Sequence, residues 1–245
     1  MNLAEVALSR AAKIAGGDWL QHQWVMAGVV ASSARFLPVP LLDDVVRSHC
    51  RRFVVSRTLA ASGSSLAVAS LEPLYGDAGG WLKGALGFIG TLLLQLLLFP
   101  VRKFVEIVTS VRGVPLDIMR TVLLGRTLRR RLSAGALAPE QAQAMQRALD
   151  EAFARMDFRA VRAAIGDAMR GVRAWRTSAI ASARRLSSAE AAPDGAMPAG
   201  GGVQSSAALI EEVLRQADTL RLFEEFDRRF DDAFARALAA ARPSG

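Results

Sequence analysis

The chain has 245 residues, 51% of them apolar, and a mean hydropathy of +0.23, which excludes an intrinsically disordered polypeptide and leaves room for a sizeable core. One cysteine and two histidines exclude a disulfide-stapled scaffold and any array of Cys/His metal sites. Thirty-one basic against 23 acidic residues give a net charge of +8 and a pI near 11.0, the balance of a protein with an anionic partner.

Apolar residues recur at three and four along most of the chain, and no stretch alternates with β-branched enrichment, so the expected class is all-α. Leu3, Val6, Ala7 and Ile14 outline a short first helix closed by Gly16 and Gly17, without the basic and apolar regions of a secretory signal. Asp18 can cap a second helix from about Trp19 to Ala34, in which Trp24 to Ala31 is too short to span a bilayer and reads as a buried face. Pro38 and Pro40 break the chain. A third helix runs from about Leu41 to Ser62, with Asp43 and Asp44 at its positive end and Gly63 as its stop. Leu42, Val45, Val46, Phe53, Val54 and Leu59 supply its buried face, and Arg47, Arg51 and Arg57 its solvated side.

Between Lys83 and Arg102 no side chain is charged, an uncharged run of 18 residues over 84–101. At about 1.5 Å per residue it covers roughly 27 Å, just short of the roughly 30 Å hydrocarbon slab, and Pro100 shortens the unbroken helix. Gly84, Gly87 and Gly90 recur at three and form a strip for close helix packing, whereas Leu92, Leu93, Leu94, Leu96, Leu97, Leu98 and Phe99 are bulky and suit contact with lipid. The next 30 residues hold Arg102, Lys103, Arg112, Arg120, Arg126, Arg129, Arg130 and Arg131 against Glu106 and Asp117, so most of the net charge lies there. Arg102, Lys103, Arg126, Arg129, Arg130 and Arg131 are the expected contacts to anionic lipid headgroups. Apolar residues are interleaved with these charges up to Leu124.

Past Ser133 the style is that of ordinary amphipathic helices. Pro139 and Glu140 open one whose stripe is Ala142, Met145, Leu149, Phe153 and Met156. Asp157 can cap another, continuous to about Leu186, with Phe158, Val161, Ala164 or Ile165, Ala168, Val172 and Trp175 on one face and Arg159, Arg162, Arg170, Arg173 and Arg176 on the other. Residues 187–205 are small and punctuated by Gly and Pro, which predicts a flexible linker. A single helix from Ala207 to Ala241 then presents Leu209, Val213, Leu220, Phe223, Phe226, Phe230, Phe234 and Leu238 at near-heptad spacing. Phe223, Phe226, Phe230 and Phe234 are its expected contacts with a partner helix, by docking or by self-association.

The predicted organisation is a multi-helix bundle with a central, very hydrophobic helix and a linker-tethered C-terminal amphipathic helix. Its parts are 1–132, an apolar region with a membrane-associating segment at 84–124; 133–186, soluble amphipathic helices; 187–205, the linker; and 206–245, the C-terminal helix. No catalytic site, cofactor or metal site is expected. His49 and Cys50 are adjacent and diverge by about 100° on a helix, the Gly84-Gly87-Gly90 series lacks the lysine of a phosphate loop, and the paired carboxylates Asp43-Asp44, Glu224-Glu225 and Asp231-Asp232 are not spaced to share an ion.

The expected role is structural or interactive, at an anionic bilayer surface, with membrane lipids as partners. If 84–101 spans, the basic residues favour its C-terminal side as cytoplasmic, but the 83 residues before it would then need export without a signal; a shallow hairpin with both flanks on the cytoplasmic face avoids this. The alternative is a soluble helical scaffold or interaction module with 84–99 as its buried core helix. Nucleic acid is disfavoured, because no aromatic residues are interleaved among the arginines for stacking.

Overall fold

The computed structural model describes residues 19–37, 42–76, 113–135, 137–172, 174–187 and 197–241. Among the described residues the fold is all-α, with no strand, and no helix is long and apolar enough to cross a membrane. The glycine strip, the leucine-rich half of the uncharged run, Arg102, Lys103 and the expected first helix all lie outside them.

Helix α1 (residues 19–33) is deeply enclosed: every residue from Trp24 to Ala34 is buried, where the sequence had suggested one buried face. Ser32 and Ser33 can be enclosed because their hydroxyls donate to the carbonyls of Val29 and Val30, at 2.8 and 2.7 Å. A 3-10 turn, Ala34–Phe36, leads out of α1. Helix α2 (Leu42–Ala61) keeps its expected start and stop, and Gly63 takes a φ of +61°, the left-handed conformation that closes a helix at little cost to glycine. After a second 3-10 segment, Val68–Leu74, the description resumes with α3 (Val114–Ser133).

Helix α3 crosses α1 where both lack bulk. A Cβ at Gly28 would come within 2.9 Å of the Ile118 Cα, and one at Gly125 would fall inside the Trp24 indole, whose Nε1 donates to the Thr58 hydroxyl of α2 at 3.0 Å. Val114, Pro115, Ile118, Met119, Thr121, Val122, Leu123 and Leu124 are buried. The apolar side of the 114–124 part of the expected membrane segment therefore packs into the chain's own bundle, while Arg120 stays exposed, because α1 and α2 supply apolar surface to cover it.

Beyond α3 the 3-10 turn Pro139–Gln141 opens α4 (Ala142–Ala154), with Ala142, Met145 and Leu149 buried as the stripe predicts. The expected helix to Leu186 is two, α5 (Arg159–Arg170) and α6 (Trp175–Leu186), broken at Gly171, a residue with weak helix propensity. The break lets α5 and α6 both pack on α7 (Gly201–Leu214), while Trp175 meets Phe36 edge-on at 6.3 Å. Of the expected linker, residues 201–205 are the first turns of α7, with Val203 fully buried, Met197 is buried just before them, and residues 188–196 lie outside the described residues. Gly202 is needed there because a Cβ would lie 2.8 Å from the Ala174 carbonyl oxygen.

The C-terminal helix is divided too, into α7 and α8 (Ala217–Ala241). The interruption at Arg215 and Gln216 resets the helical phase, so Ile210, Val213 and Leu214 face inward on α7, whereas Leu220, on the expected stripe, is 46% exposed. Helix α8 lies along α4 in an extensive helix pairing. The two run antiparallel, since Arg236 reaches Glu151 at 2.8 Å while Arg229 donates to the Arg155 carbonyl at 2.6 Å.

Asp157, just ahead of α5, accepts from the Arg159 backbone and guanidinium. These hydrogen bonds hold its carboxyl down at about 2, against an ordinary 3.8. A depressed folded-state value means that the contact stabilises fully above about pH 4 and is lost as pH falls through 2. A carboxyl-carbon NMR titration should find the Asp157 midpoint near 2 and see it return toward the ordinary aspartate value in Arg159→Ala.

Candidate functional site

The basic end of α3 is tied to α8. Arg126 donates to Asp227 at 2.7 Å, and Arg130 makes a two-pronged contact with Asp231 at 2.7 and 2.8 Å. Both partners advance by four residues together, so α3 and α8 run parallel and their charges mesh turn by turn. The Asp231 hydrogen bonds push the Arg130 value further up. The guanidinium groups also lie over rings of α8: Arg126 on Phe223 at 5.2 Å, Arg130 on Phe230 at 5.8 Å and Arg131 on Phe234 at 4.6 Å. Phe223, Phe226, Phe230 and Phe234 are all buried within the chain. Thus the structure brings together residues that the sequence had assigned separately, setting Arg126, Arg130 and Arg131 against Phe223, Phe230 and Phe234. Arg129 sits beside them, half-buried. The signal was the matched spacing of Arg126 and Arg130 with Asp227 and Asp231.

A second cluster surrounds a small cavity. Leu74, at the end of the second 3-10 segment, and Asp117, in the first turn of α3, both line it, which brings these two elements together. Ser48 fixes the first by donating to the Tyr75 carbonyl at 2.9 Å, and Arg35 fixes the second through its ion pair with Asp117. Arg47, Arg51 and Arg120 stand around the cavity, with Leu123, Leu124 and Leu149 among its apolar lining. Its volume is about 70 Å³, far below the several hundred typical of pockets that enclose a small-molecule substrate. Asp150 is held by Arg120 and by Gln146, whose amide donates at 3.0 Å. Arg47 faces Asp43 and Asp44 at 3.8 and 3.6 Å, longer than a charge-assisted hydrogen bond. Sequence reasoning placed Arg47 and Arg51 on an ordinary solvated face, since nothing local shows that α2 packs on both the Val68–Leu74 segment and α3.

Other reactive groups have structural roles. His22 pairs with the buried Glu211, which Arg215 also contacts at 3.1 Å, joining α1 to α7. Cys50 is fully buried, and loss of solvent pushes its thiol up to about 12. Iodoacetamide should leave Cys50 unmodified in the native protein at neutral pH and alkylate it once denaturant opens the core, as intact-mass spectrometry would record. Among the described residues no cluster of three or more His, Cys, Asp or Glu could hold a metal ion.

Comparison with known proteins finds no matching family model, no matching curated protein and no matching solved structure.

Proposed function

We propose that this chain is a membrane-associated helical protein with a structural or interaction role at an anionic bilayer surface and no catalysis of its own, attached through residues 84–101. The observation that carries the proposal joins sequence to topology. An uncharged run of 18 residues lies between two segments that fold into one body: α2 packs on α3, and Leu74 and Asp117 share a cavity. A single crossing of the bilayer would put those two flanks on opposite sides, which their common core forbids. Shallow insertion that begins and ends on one face satisfies both the short length and the shared core. The excess of arginine and lysine after the run favours the cytoplasmic face.

The competing reading, a soluble scaffold with 84–99 as its central buried helix, is weakened by α1, which already supplies a helix enclosed at every position from Trp24 to Ala34. Alkaline carbonate extraction of cells expressing the full chain separates the two. Retention in the membrane pellet, with release by detergent, is the expected result; quantitative recovery in the carbonate supernatant would favour the scaffold.

A further inference from the structure

Where the first turn of α3 meets the end of α4 and the start of α5, the fold leaves an open hollow of about 330 Å³, within the range of pockets that hold small molecules. Leu116, Phe153, Met156 and Phe158 form its apolar wall. Phe158 is buried, whereas the other three are only half-buried. The two rings stand 4.6 Å apart at 34°, a tilted pair that a third ring can extend, and the Met156 thioether suits an aromatic neighbour as well. Asp157, Arg159 and Arg162 supply the charges of the hollow. Arg159 donates to both oxygens of Asp157 at 2.6 to 3.0 Å, so these two charges offset each other. Arg162, half-buried on the first turn of α5, makes no guanidinium hydrogen bond or ion pair among the described residues. Its field helps to hold the Asp157 carboxyl down, but after the direct contacts from Arg159. An aromatic wall thus stands beside a cation without a bonded acceptor.

We propose that this hollow binds a small aromatic carboxylate, its ring against Phe153 and Phe158 and its carboxylate on Arg162. A single unbonded guanidinium matches a monoanion, and its planar N–H donors meet the two oxygens of a carboxylate as a pair. Partial burial of Arg162 makes that pairing stronger than an ion pair in open solvent. Phe153 also lines the smaller cavity beside α2 and carries Arg120 over its ring at 5.4 Å. Arg120 is paired with Asp150 and does not compete for the ligand. Binding here needs neither catalysis nor the bilayer contact proposed above.

The test is equilibrium dialysis of naphthoate, and of the uncharged naphthalenemethanol, against the purified full-length chain, with sedimentation velocity on the same samples. The expected result is saturable binding of naphthoate, roughly tenfold tighter than that of the alcohol. Arg162→Gln should remove this preference and leave both the binding of the alcohol and the thermal midpoint unchanged, since glutamine keeps part of the apolar stem and loses the charge. Ala154→Phe, at the exposed end of α4, should fill the hollow and abolish the binding of both compounds. Arg147→Gln, exposed on α4 and not part of the hollow, should change neither. Equal affinity for acid and alcohol, a preference that survives Arg162→Gln or is lost as fully in Arg147→Gln, binding that survives Ala154→Phe, or the absence of saturable naphthoate binding overturns the assignment. So does a wild type that sediments as a dimer and becomes monomeric in Ala154→Phe, which would give the hollow to a second copy of the chain.

Discussion

Phe226→Ala should destabilise the protein by about 3–5 kcal/mol and lower its Tm by roughly 10 °C, read by urea and thermal unfolding of the monomer. The Phe226 ring is wholly enclosed, on the face of α8 that lies along α4, and its loss leaves a cavity that two long helices cannot close without giving up their other contacts. The size of the effect decides how α8 is used. If the helix docked on a second copy, the loss would depend on protein concentration; packed on its own α4, it does not. A loss below about 1 kcal/mol would contradict the intramolecular packing.

Gly125→Val should cost about 3 kcal/mol, at the upper end of what overpacking costs. The indole of Trp24 fills the space that a Cβ would take, and it cannot swing away without giving up the hydrogen bond to Thr58 inside a fully buried cluster. Trp24→Phe combined with Gly125→Ala should recover part of the loss, since the smaller ring vacates part of the volume that the methyl group needs. A neutral Gly125→Val in chemical denaturation would show that α1 and α3 do not cross where their small residues meet.

Local chemistry made several elements legible. Helix α2 could be bounded from Asp43, Asp44 and Gly63, because acidic residues at the first turn and a left-handed glycine at the end act within one turn of chain. The stripe of α4 was readable for the same reason. What escaped was set by distant packing. The runs around Gly171 and around Arg215 and Gln216 keep a plausible helical period on both sides, so the period does not mark a bend and the single glycine is a weak sign of one; the bends serve the packing of α5, α6 and α8 against other helices. Burial of every residue from Trp24 to Ala34 was hidden by Ser32 and Ser33, which look polar in sequence but satisfy their own hydroxyls. The mesh between α3 and α8 joins residues 101 positions apart and could be guessed only from matching charge intervals.

Membrane attachment through the uncharged run is tested most directly by flotation of purified wild type beside Leu93→Arg/Leu97→Arg on anionic vesicles, with circular dichroism melting of both proteins in parallel. The account predicts that the double variant melts as the wild type does and no longer floats, because the proposal assigns those leucines to the bilayer contact and not to the folded body. A variant that loses its cooperative melt, or one that floats as well as the wild type, would contradict it.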